Sequence, residues 1–465
     1  MRLTWVQPED LVGHALAQAA LDGADVAAAR ERWAAAGGSE VPPRDGASPE
    51  PAPAPLRALA RELLDELDAV PSRYADREPT GLDAIRAAAP WPDSGAGTPG
   101  TDLLDRLHAA WLGRAAGCLL GKPVEKIPRD GIREILTAQG RWPLTGWFTA
   151  AGLPDEVAQR WPWNRRSRAT SLAETIDGMP EDDDLNYALL ALGMLEEHGA
   201  ALDTEDVAGR WLSDLPAGRT FTAERVAYRN LLLGIEPPRT ATRHNPFRQW
   251  IGAQIRGDAY GWARPGAPGP AAELAWRDAV LSHTGNGVYG AMFVAAVSAA
   301  ACVTDDLDAV LDAGLAVVPA GSRYAEAVRF ARDLPGACTG WEEAVDAVEE
   351  RYGHLHWVHV LPNAALVVAA LCYGGGDFGR SICLAVSAGR DTDSNGATVG
   401  ALVGAMHGKP PGYWTEPLRN RLTTTLPGFD GIGFDALAAR TLALAEGLSE
   451  GSSRVDVLVP TEAQS

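Results

Sequence analysis

Apolar residues recur every three or four positions along most of this chain, which is the spacing of a buried helix face. Residues 9–36 follow this period up to the stop at Gly37-Gly38, and residues 56–70 resume it. Period-two alternation, which would predict β-strands, is scarce. The pattern predicts a compact all-α fold with many helices packed at varied angles. Further segments with the helical period are residues 185–198, 271–281, 287–302, 306–314, 324–332, 341–351, 363–372, 377–388, 396–407 and 435–448.

Two stretches rich in proline and glycine interrupt the helical pattern near the N-terminus. Residues 39–55 are polar and carry repeated prolines, which is typical of a linker or extended loop, and residues 91–100 break the pattern again. We therefore expect residues 1–100 to form a helical N-terminal extension with a Pro-rich linker. Residues 101–450 are expected to form the main domain, and residues 451–465 a C-terminal tail.

Composition bounds the class of protein. The 465 residues are 46% hydrophobic and 22% charged, which is ordinary for a protein with a sizeable core. The formal net charge of −20 argues against nucleic acid as a partner, because phosphates would be repelled. The chain starts without an apolar signal core and has no uninterrupted apolar stretch of about 18 residues, so we expect a cytoplasmic enzyme with no membrane partner.

The cysteines point away from soft-metal and disulfide chemistry. There are five of them, none in a C-x-x-C pair, so neither a zinc site nor a disulfide framework is expected. Alanine, glycine, proline and arginine are abundant relative to lysine, which is typical of a GC-rich bacterial genome.

Two short acidic runs carry the first candidate chemistry. Residues 181–184 (Glu-Asp-Asp-Asp) follow Pro180 and open a helical pattern. Residues 391–395 (Asp-Thr-Asp-Ser-Asn) connect two apolar helices. Carboxylates at a helix start also suit the helix dipole, so capping alone explains part of the first run. If the fold joins the two runs, their oxygens would suit Mg²⁺, Mn²⁺ or Ca²⁺.

Three other segments frame these runs. A stripe of glycines four residues apart, from Gly396 to Gly408, indicates close helix packing that would fix the second run. The segment from Ser282 to Met292 surrounds a histidine with small residues, which leaves structural and functional roles equally open for that side chain. Residues 141–166 hold four tryptophans at irregular spacing, and we favour their anchoring a long loop to the core over their covering a pocket.

Taken together, four motifs in this order resemble the ADP-ribosylglycohydrolase family, which includes the dinitrogenase reductase-activating glycohydrolases. The motifs are Gly-x-x-Leu-Gly-Lys-Pro-x-Glu ending at Glu125, an Asp-Asp pair at 182–183, His-x-x-Asn-Gly from His283, and Gly-x-Asp-Thr-Asp-Ser-Asn-Gly-Ala from Gly389. The late motif and its order after the acidic pair are the specific signals. The resemblance covers about residues 101–447 and leaves residues 1–100 outside it.

The resemblance implies an all-α domain with a binuclear magnesium centre, in which Mn²⁺ could replace Mg²⁺. Its first motif is usually Thr-Asp-Asp, and here Glu181 stands at the threonine position. That substitution adds a charge and a longer side chain, so tighter cation binding and altered metal spacing are expected. The implied metal ligands are Glu181, Asp182, Asp183, Asp391, Asp393 and Ser394.

The resemblance also implies the remaining site residues. Glu125 matches a family residue near the metals and the scissile ribose, and the general acid or base is one of Glu125, Asp182 and Asp184. A weaker match to the glycine-rich loop that holds diphosphate or ribose, together with the histidine motif, gives the substrate-binding candidates. These candidates are Gly252, Gln254, Asp258, His283 and Asn286.

The leading hypothesis is a magnesium-dependent hydrolase, of the EC 3.2.2 type, that cleaves the ribosyl C1 bond. Its substrate would be an ADP-ribosylated protein or an ADP-ribose-like or nucleotide-like small-molecule N-riboside. The alternatives are a non-catalytic ADP-ribose-binding protein and, third, a two-metal phosphohydrolase. The aglycone, the anomer and the oligomeric state stay open at this point.

Overall fold

The computed structural model describes residues 2–92 and 95–449, and within these ranges the fold is all-α. It contains 21 α-helices and six short 3₁₀ segments, with no β-strand in the described ranges. The expected C-terminal tail, residues 451–465, lies outside the described residues. The α-helices are α1 (Pro8–Leu21), α2 (Ala27–Ala35), α3 (Ala54–Asp68), α4 (Leu82–Ala88), α5 (Leu103–Gly121), α6 (Arg129–Ala138), α7 (Asp155–Arg160), α8 (Asp183–His198), α9 (Thr204–Asp214), α10 (Thr222–Leu232), α11 (Asp258–Trp262), α12 (Pro268–Ala279), α13 (Asn286–Ala301), α14 (Leu307–Ala316), α15 (Arg323–Ala337), α16 (Trp341–Tyr352), α17 (Val360–Gly374), α18 (Phe378–Ser387), α19 (Thr392–His407), α20 (Gly412–Thr415) and α21 (Phe434–Ser449).

Helices α5 and α19 pack at the centre of the molecule with their backbones in close approach. A Cβ atom on Gly117 would lie 1.9 Å from the carbonyl oxygen of Gly396, and one on Gly113 would lie 2.1 Å from that of Gly400. Side chains at these positions would force the helices apart. The glycine stripe therefore packs as the sequence predicts, and it fixes the start of α19 against the end of α5.

Two element boundaries differ from the sequence prediction. Residues 9–36 form two helices instead of one, because Gly23 adopts a left-handed φ of +87° that ends the first helix. The helix expected to begin near Gly396 begins at Thr392, so Asp393 and Ser394 lie in its first turn and not in a loop. That difference matters because the second acidic run is thereby held on a helix.

Residues 2–92 of the expected N-terminal extension are bonded to the rest of the described chain through buried polar contacts. The Glu78 carboxylate is nearly buried and accepts from Arg323 Nη2 at 2.7 Å and from Asn286 Nδ2 at 2.8 Å. The Asp22 carboxylate accepts from Arg248 Nη2 at 2.6 Å. Since each pairing shields a charge from water, the extension is bonded to α13 and α15 through specific partners.

No helix within the described residues is both long and apolar enough to cross a membrane.

Candidate metal centre

Three of the four motifs meet where α5 ends and where α8 and α19 begin. They are the motif that ends at Glu125, the acidic residues 181–184 and the motif that begins at Gly389. Gly121 lets the end of α5 touch the first turn of α19, where Thr392 Oγ1 donates to the Gly121 carbonyl at 2.8 Å. A 3₁₀ segment, Lys122–Val124, then leads to Glu125. The fold thus joins two acidic runs that are far apart in sequence, and we call residues 125, 182–184, 391, 393 and 394 the acidic centre.

Asp182 caps α8 and pairs with a buried lysine. One carboxylate oxygen accepts from the backbone N–H of Asp184 at 2.9 Å, and the other accepts from Lys122 Nζ. Both side chains are more than nine-tenths buried. Burial alone would raise the pKa of Asp182, but the adjacent ammonium lowers it below its ordinary value, and that carboxylate in turn raises the pKa of Lys122.

Asp184 is held on its inner side by Arg114, a fully buried arginine of α5. Arg114 donates to the Asp184 backbone carbonyl from Nε at 3.0 Å and from Nη2 at 2.6 Å. Its Nη1 donates to Asp258 Oδ2 at 2.6 Å, and Ser394 Oγ donates to Asp184 Oδ2 at 3.2 Å. The structure therefore places Asp258, predicted to bind substrate, in a buried ion pair that supports the acidic turn.

The first turn of α19 is positioned by Asn363 of α17. The Asn363 Oδ1 atom accepts from the Asp391 backbone N–H at 3.3 Å and from Asn395 Nδ2 at 2.9 Å. Gly389 and Arg390 precede it with φ values of +79° and +66°, which turn the chain sharply into α19. The amide of Asn363 thus fixes the backbone that carries Asp391 and Asp393.

Mutual repulsion and burial dominate the electrostatics of the acidic centre. Burial, together with neighbouring carboxylates, raises the pKa values of Asp183 and Asp391 well above their ordinary range. Burial and the nearby Glu125 raise the pKa of Asp393 to about 7. Carboxylates this close and this buried favour a cation or a proton between them.

The residues present fit a hard divalent cation. The Asp184 Oδ1 atom is buried and accepts no hydrogen bond within the described part of the chain. Carboxyl oxygens of Asp182 and Asp184 lie within 4.8 Å of each other and of the Cys118 sulfur, so this group could hold a metal ion. Oxygen donors predominate in the acidic centre, as Mg²⁺ and Mn²⁺ prefer.

Glu125 lies at the solvent side of the acidic centre. Its side chain is 22% exposed, and Oε2 accepts from Asn164 Nδ2 at 2.5 Å. Asn164 belongs to the tryptophan-rich segment, whose Trp147 and Trp163 are buried as anchors. An accessible carboxylate that is oriented by an amide is suited to exchanging a proton with a bound molecule.

Glu181, which stands at the family's threonine position, is held by contacts with other parts of the chain. Its Oε1 accepts from the Thr425 backbone N–H at 3.0 Å and from Asn186 Nδ2 at 3.2 Å, and its Oε2 lies 2.6 Å from Arg219 Nη2. Both oxygens are therefore engaged by the protein. Its role as a metal ligand stays a prediction that these contacts do not favour.

Asn286 and Gln254 are both buried and hydrogen-bonded to other residues of the chain. The Asn286 amide donates to Glu78 and to Gln249, and its oxygen accepts from the Tyr324 backbone N–H at 3.0 Å. Gln254 accepts from the Tyr324 hydroxyl at 3.0 Å. Both residues are at most 1% exposed, so their substrate-binding roles stay predictions that would require these contacts to open.

His283 and Gly252 belong to a second buried group of charges, which we call the Arg256 cluster. Arg256 pairs with Asp278 Oδ2 at 2.9 Å and Glu224 Oε1 at 2.8 Å. The remaining members are Ser282, whose Oγ lies 2.8 Å from both Arg256 Nη2 and His283 Nδ1, and Gly252, against which the Glu224 carboxylate packs. His283 is fully buried here, and its predicted role in binding substrate likewise stays a prediction.

Several residues that shape the acidic centre escaped the sequence reasoning. No acidic motif surrounds Arg114, Asn164 or Asn363, and their roles depend on long-range contacts. Lys122 was visible inside the first motif, directly before Pro123, but its partner was not. A lysine between a glycine-ended apolar helix and a proline was the available signal, since such a side chain is buried only when paired.

The fold and the site together define an all-α protein whose central helices carry a buried acidic centre that could hold a metal ion. The ADP-ribosylglycohydrolase family model matches residues 99–451, and the chain belongs to that family of glycohydrolases. An uncharacterized protein of Archaeoglobus fulgidus is 27% identical over 315 residues, which are 67% of this chain and 90% of the relative. A solved ADP-ribosylglycohydrolase-related protein complex is 22% identical, with a TM-score of 0.45, covering 76% of this chain and all of that one.

Proposed function

We propose that this chain is a magnesium-dependent glycoside hydrolase that cleaves the ribosyl C1 bond of an ADP-ribosylated protein or of an ADP-ribose-like or nucleotide-like N-riboside. Residues 101–450 would form the catalytic domain. The observation that carries the proposal is the convergence of residues 182–184 and 391–394 in one acidic centre within a chain of this family. Glycohydrolase chemistry is the family's own, while the substrate and the metal are the proposed part.

Asp183, Asp391 and Asp393 are the carboxylates that we propose as the main metal ligands. Asp183 is partly exposed to solvent. Desolvation of its carboxyl group, together with neighbouring carboxylates, raises its pKa well above the ordinary value. Asp391 is the N-cap residue of α19, and Asp393 lies in the first turn of that helix. Bound Mg²⁺ would supply Lewis-acid chemistry, binding ribose hydroxyls and stabilising developing charge.

Glu125 is the general acid or base that we favour among the three candidates. Asp182 is bonded to Lys122, and Asp184 is held by Ser394 and Arg114, so neither has a proton-accepting oxygen facing solvent. Glu125 has that access. In the proposed hydrolysis, the C1–aglycone bond breaks, a C1–oxygen bond forms from water, and the proton of that water passes to the leaving group by way of the Glu125 carboxylate.

A substrate panel with and without Mg²⁺ tests this proposal. It should contain arginine- and serine-linked ADP-ribose, O-acetyl-ADP-ribose, NAD-derived ribosides and simple nucleosides. We expect Mg²⁺-dependent cleavage of at least one substrate and its loss in Glu125→Gln. Binding of ADP-ribose without turnover of any substrate would favour the non-catalytic alternative, and release of phosphate or AMP would favour a phosphohydrolase.

A further inference from the structure

Lys122 is one of three lysines in the chain, and it is the one that lies in the interior. Its side chain is 8% exposed, and its Nζ donates to Asp182 Oδ2 and approaches the Glu181 carbonyl at 3.5 Å. Burying an ammonium group is costly unless a carboxylate compensates it. The ammonium therefore occupies a position where a cation is required, beside an expected metal ligand.

In the inner half of the acidic centre, most carboxylate oxygens are bonded by the protein, and Asp184 Oδ1 is the exception. Asp182 offers one oxygen to the α8 backbone and the other to Lys122. Asp184 accepts from Ser394 and lies 3.6 Å from Arg114 Nη2. Glu181 is likewise engaged, with Arg219 and Thr425 on its two oxygens.

The outer half is different, because its carboxylates have no arginine or lysine bonded to them. Asp183 opens α8, Asp391 caps α19 and Asp393 lies in its first turn, and within the described ranges none of these three side chains forms an ion pair with a basic residue. Carboxylates that have no cation from the protein bonded to them can serve as ligands for one hard cation whose other positions are filled by water or substrate.

We infer that the Lys122 ammonium, which is bonded to Asp182, takes the place of one of the two cations expected for this family, so that the acidic centre binds a single divalent ion. The inference rests on the proposed metal-dependent function and specifies its stoichiometry. Lys122 is then a built-in positive charge that holds Asp182, and Asp182 in turn holds the start of α8. In such a centre, part of the positive charge comes from the Lys122 side chain and the rest from the bound ion.

Metal stoichiometry tests the inference without reference to catalysis. Purified full-length protein is stripped with chelator and titrated with Mn²⁺, and bound ions per chain are counted by equilibrium dialysis with elemental analysis. Electron paramagnetic resonance of the same samples distinguishes isolated from spin-coupled Mn²⁺. The variants are Lys122→Met, which removes the charge and keeps the length, and Lys409→Met, which makes the same change at an exposed lysine.

We expect one isolated Mn²⁺ per chain in the wild type and in Lys409→Met, and a second, spin-coupled Mn²⁺ in Lys122→Met. Two coupled ions in the wild type would overturn the inference and leave the proposed function intact. A single ion in both the wild type and a folded Lys122→Met would overturn the role of Lys122. No bound Mn²⁺ in the wild type would overturn the proposed metal dependence as well. The wild-type count decides the stoichiometry even where Lys122→Met fails to fold.

Discussion

The acidic centre and the Arg256 cluster both bury several carboxylates, but they differ in whether the protein supplies a positive charge bonded to those carboxylates. In the Arg256 cluster one guanidinium bonds Glu224, Asp278 and Ser282 at once. In the acidic centre, burial and neighbouring carboxylates raise the pKa values of Asp183, Asp391 and Asp393, and no arginine or lysine is bonded to these side chains in the described ranges. The first arrangement supports the fold, and the second leaves binding energy for a ligand.

The strongest way to test this difference is to neutralise a carboxylate in the outer half of the acidic centre. Asp391→Asn removes a proposed ligand and one source of repulsion. We expect activity to fall by a factor on the order of a thousand, the scale of losing a principal electrostatic contact in catalysis. The thermal midpoint of the metal-free protein should be unchanged or higher. Full activity in a correctly folded Asp391→Asn protein would contradict the ligand assignment.

The corresponding substitution in the Arg256 cluster should lower the stability of the fold and leave metal binding intact. Asp278→Asn breaks a fully buried pair with Arg256, and such losses cost roughly 3–5 kcal/mol of unfolding free energy. Denaturant unfolding measures that cost, and Mn²⁺ titration checks that the metal affinity of the folded fraction is retained. A stable Asp278→Asn protein with impaired metal binding would mean that the two clusters are coupled.

The third test uses pH on metal-free protein. Burial and nearby carboxylates raise the pKa of Asp393 to about 7, while an unfolded aspartate titrates near 3.9. Folded protein therefore holds this proton more tightly, and the resulting stability is complete below about pH 4 and lost as the pH rises through about 7. Melting curves between pH 5 and 8 should show a falling midpoint that Mg²⁺ restores most at pH 8.

Glu224 provides the control for this pH series. Burial raises the pKa of Glu224 to about 7 as well. Its titration in the Arg256 cluster therefore also lowers the thermal midpoint as the pH rises. The Asp393→Asn variant keeps that contribution and loses its own, so its midpoint should fall less steeply than that of the wild type. Identical slopes in the two proteins would show that Asp393 is not the group whose titration lowers the midpoint.

The smallest effect is expected at His283. Burial and the neighbouring Arg256 guanidinium lower its pKa well below the ordinary value, so it stays neutral through the range in which the enzyme would work. His283→Gln should cost some stability and leave the shape of the pH–rate profile unchanged. Loss of one limb of that profile would show that the histidine exchanges a proton with substrate.

Local patterns were sufficient to predict most of the fold. Helical periodicity predicted most of the long helices, and the glycine stripe predicted that α19 packs closely against another helix, which the structure identifies as α5. The prediction of one helix over residues 9–36 was wrong because a single left-handed glycine outweighs the apolar period. The family assignment was confirmed, since its specific motifs are contiguous in sequence.

The partners of the site residues could not be predicted in the same way. Asp258 and Asn286 lie in motif-like segments, but Arg114 and Glu78, which reach them from other parts of the chain, hold them in the interior. Whether a polar side chain faces a ligand or another side chain depends on such long-range contacts. The sequence pattern therefore indicates which chemical group a residue supplies, but it does not indicate which other residue or ligand that group contacts.

Product analysis after metal removal and restoration is the most direct test of the central claim. The chelated wild-type protein is incubated with ADP-ribosylated substrate, before and after addition of Mg²⁺, alongside Asp391→Asn, and the products are identified by mass spectrometry. The account predicts that intact ADP-ribose or the corresponding free ribosyl product is released by the Mg²⁺-loaded wild type alone. Equal release by the chelated protein, or release of AMP or phosphate instead, would contradict it.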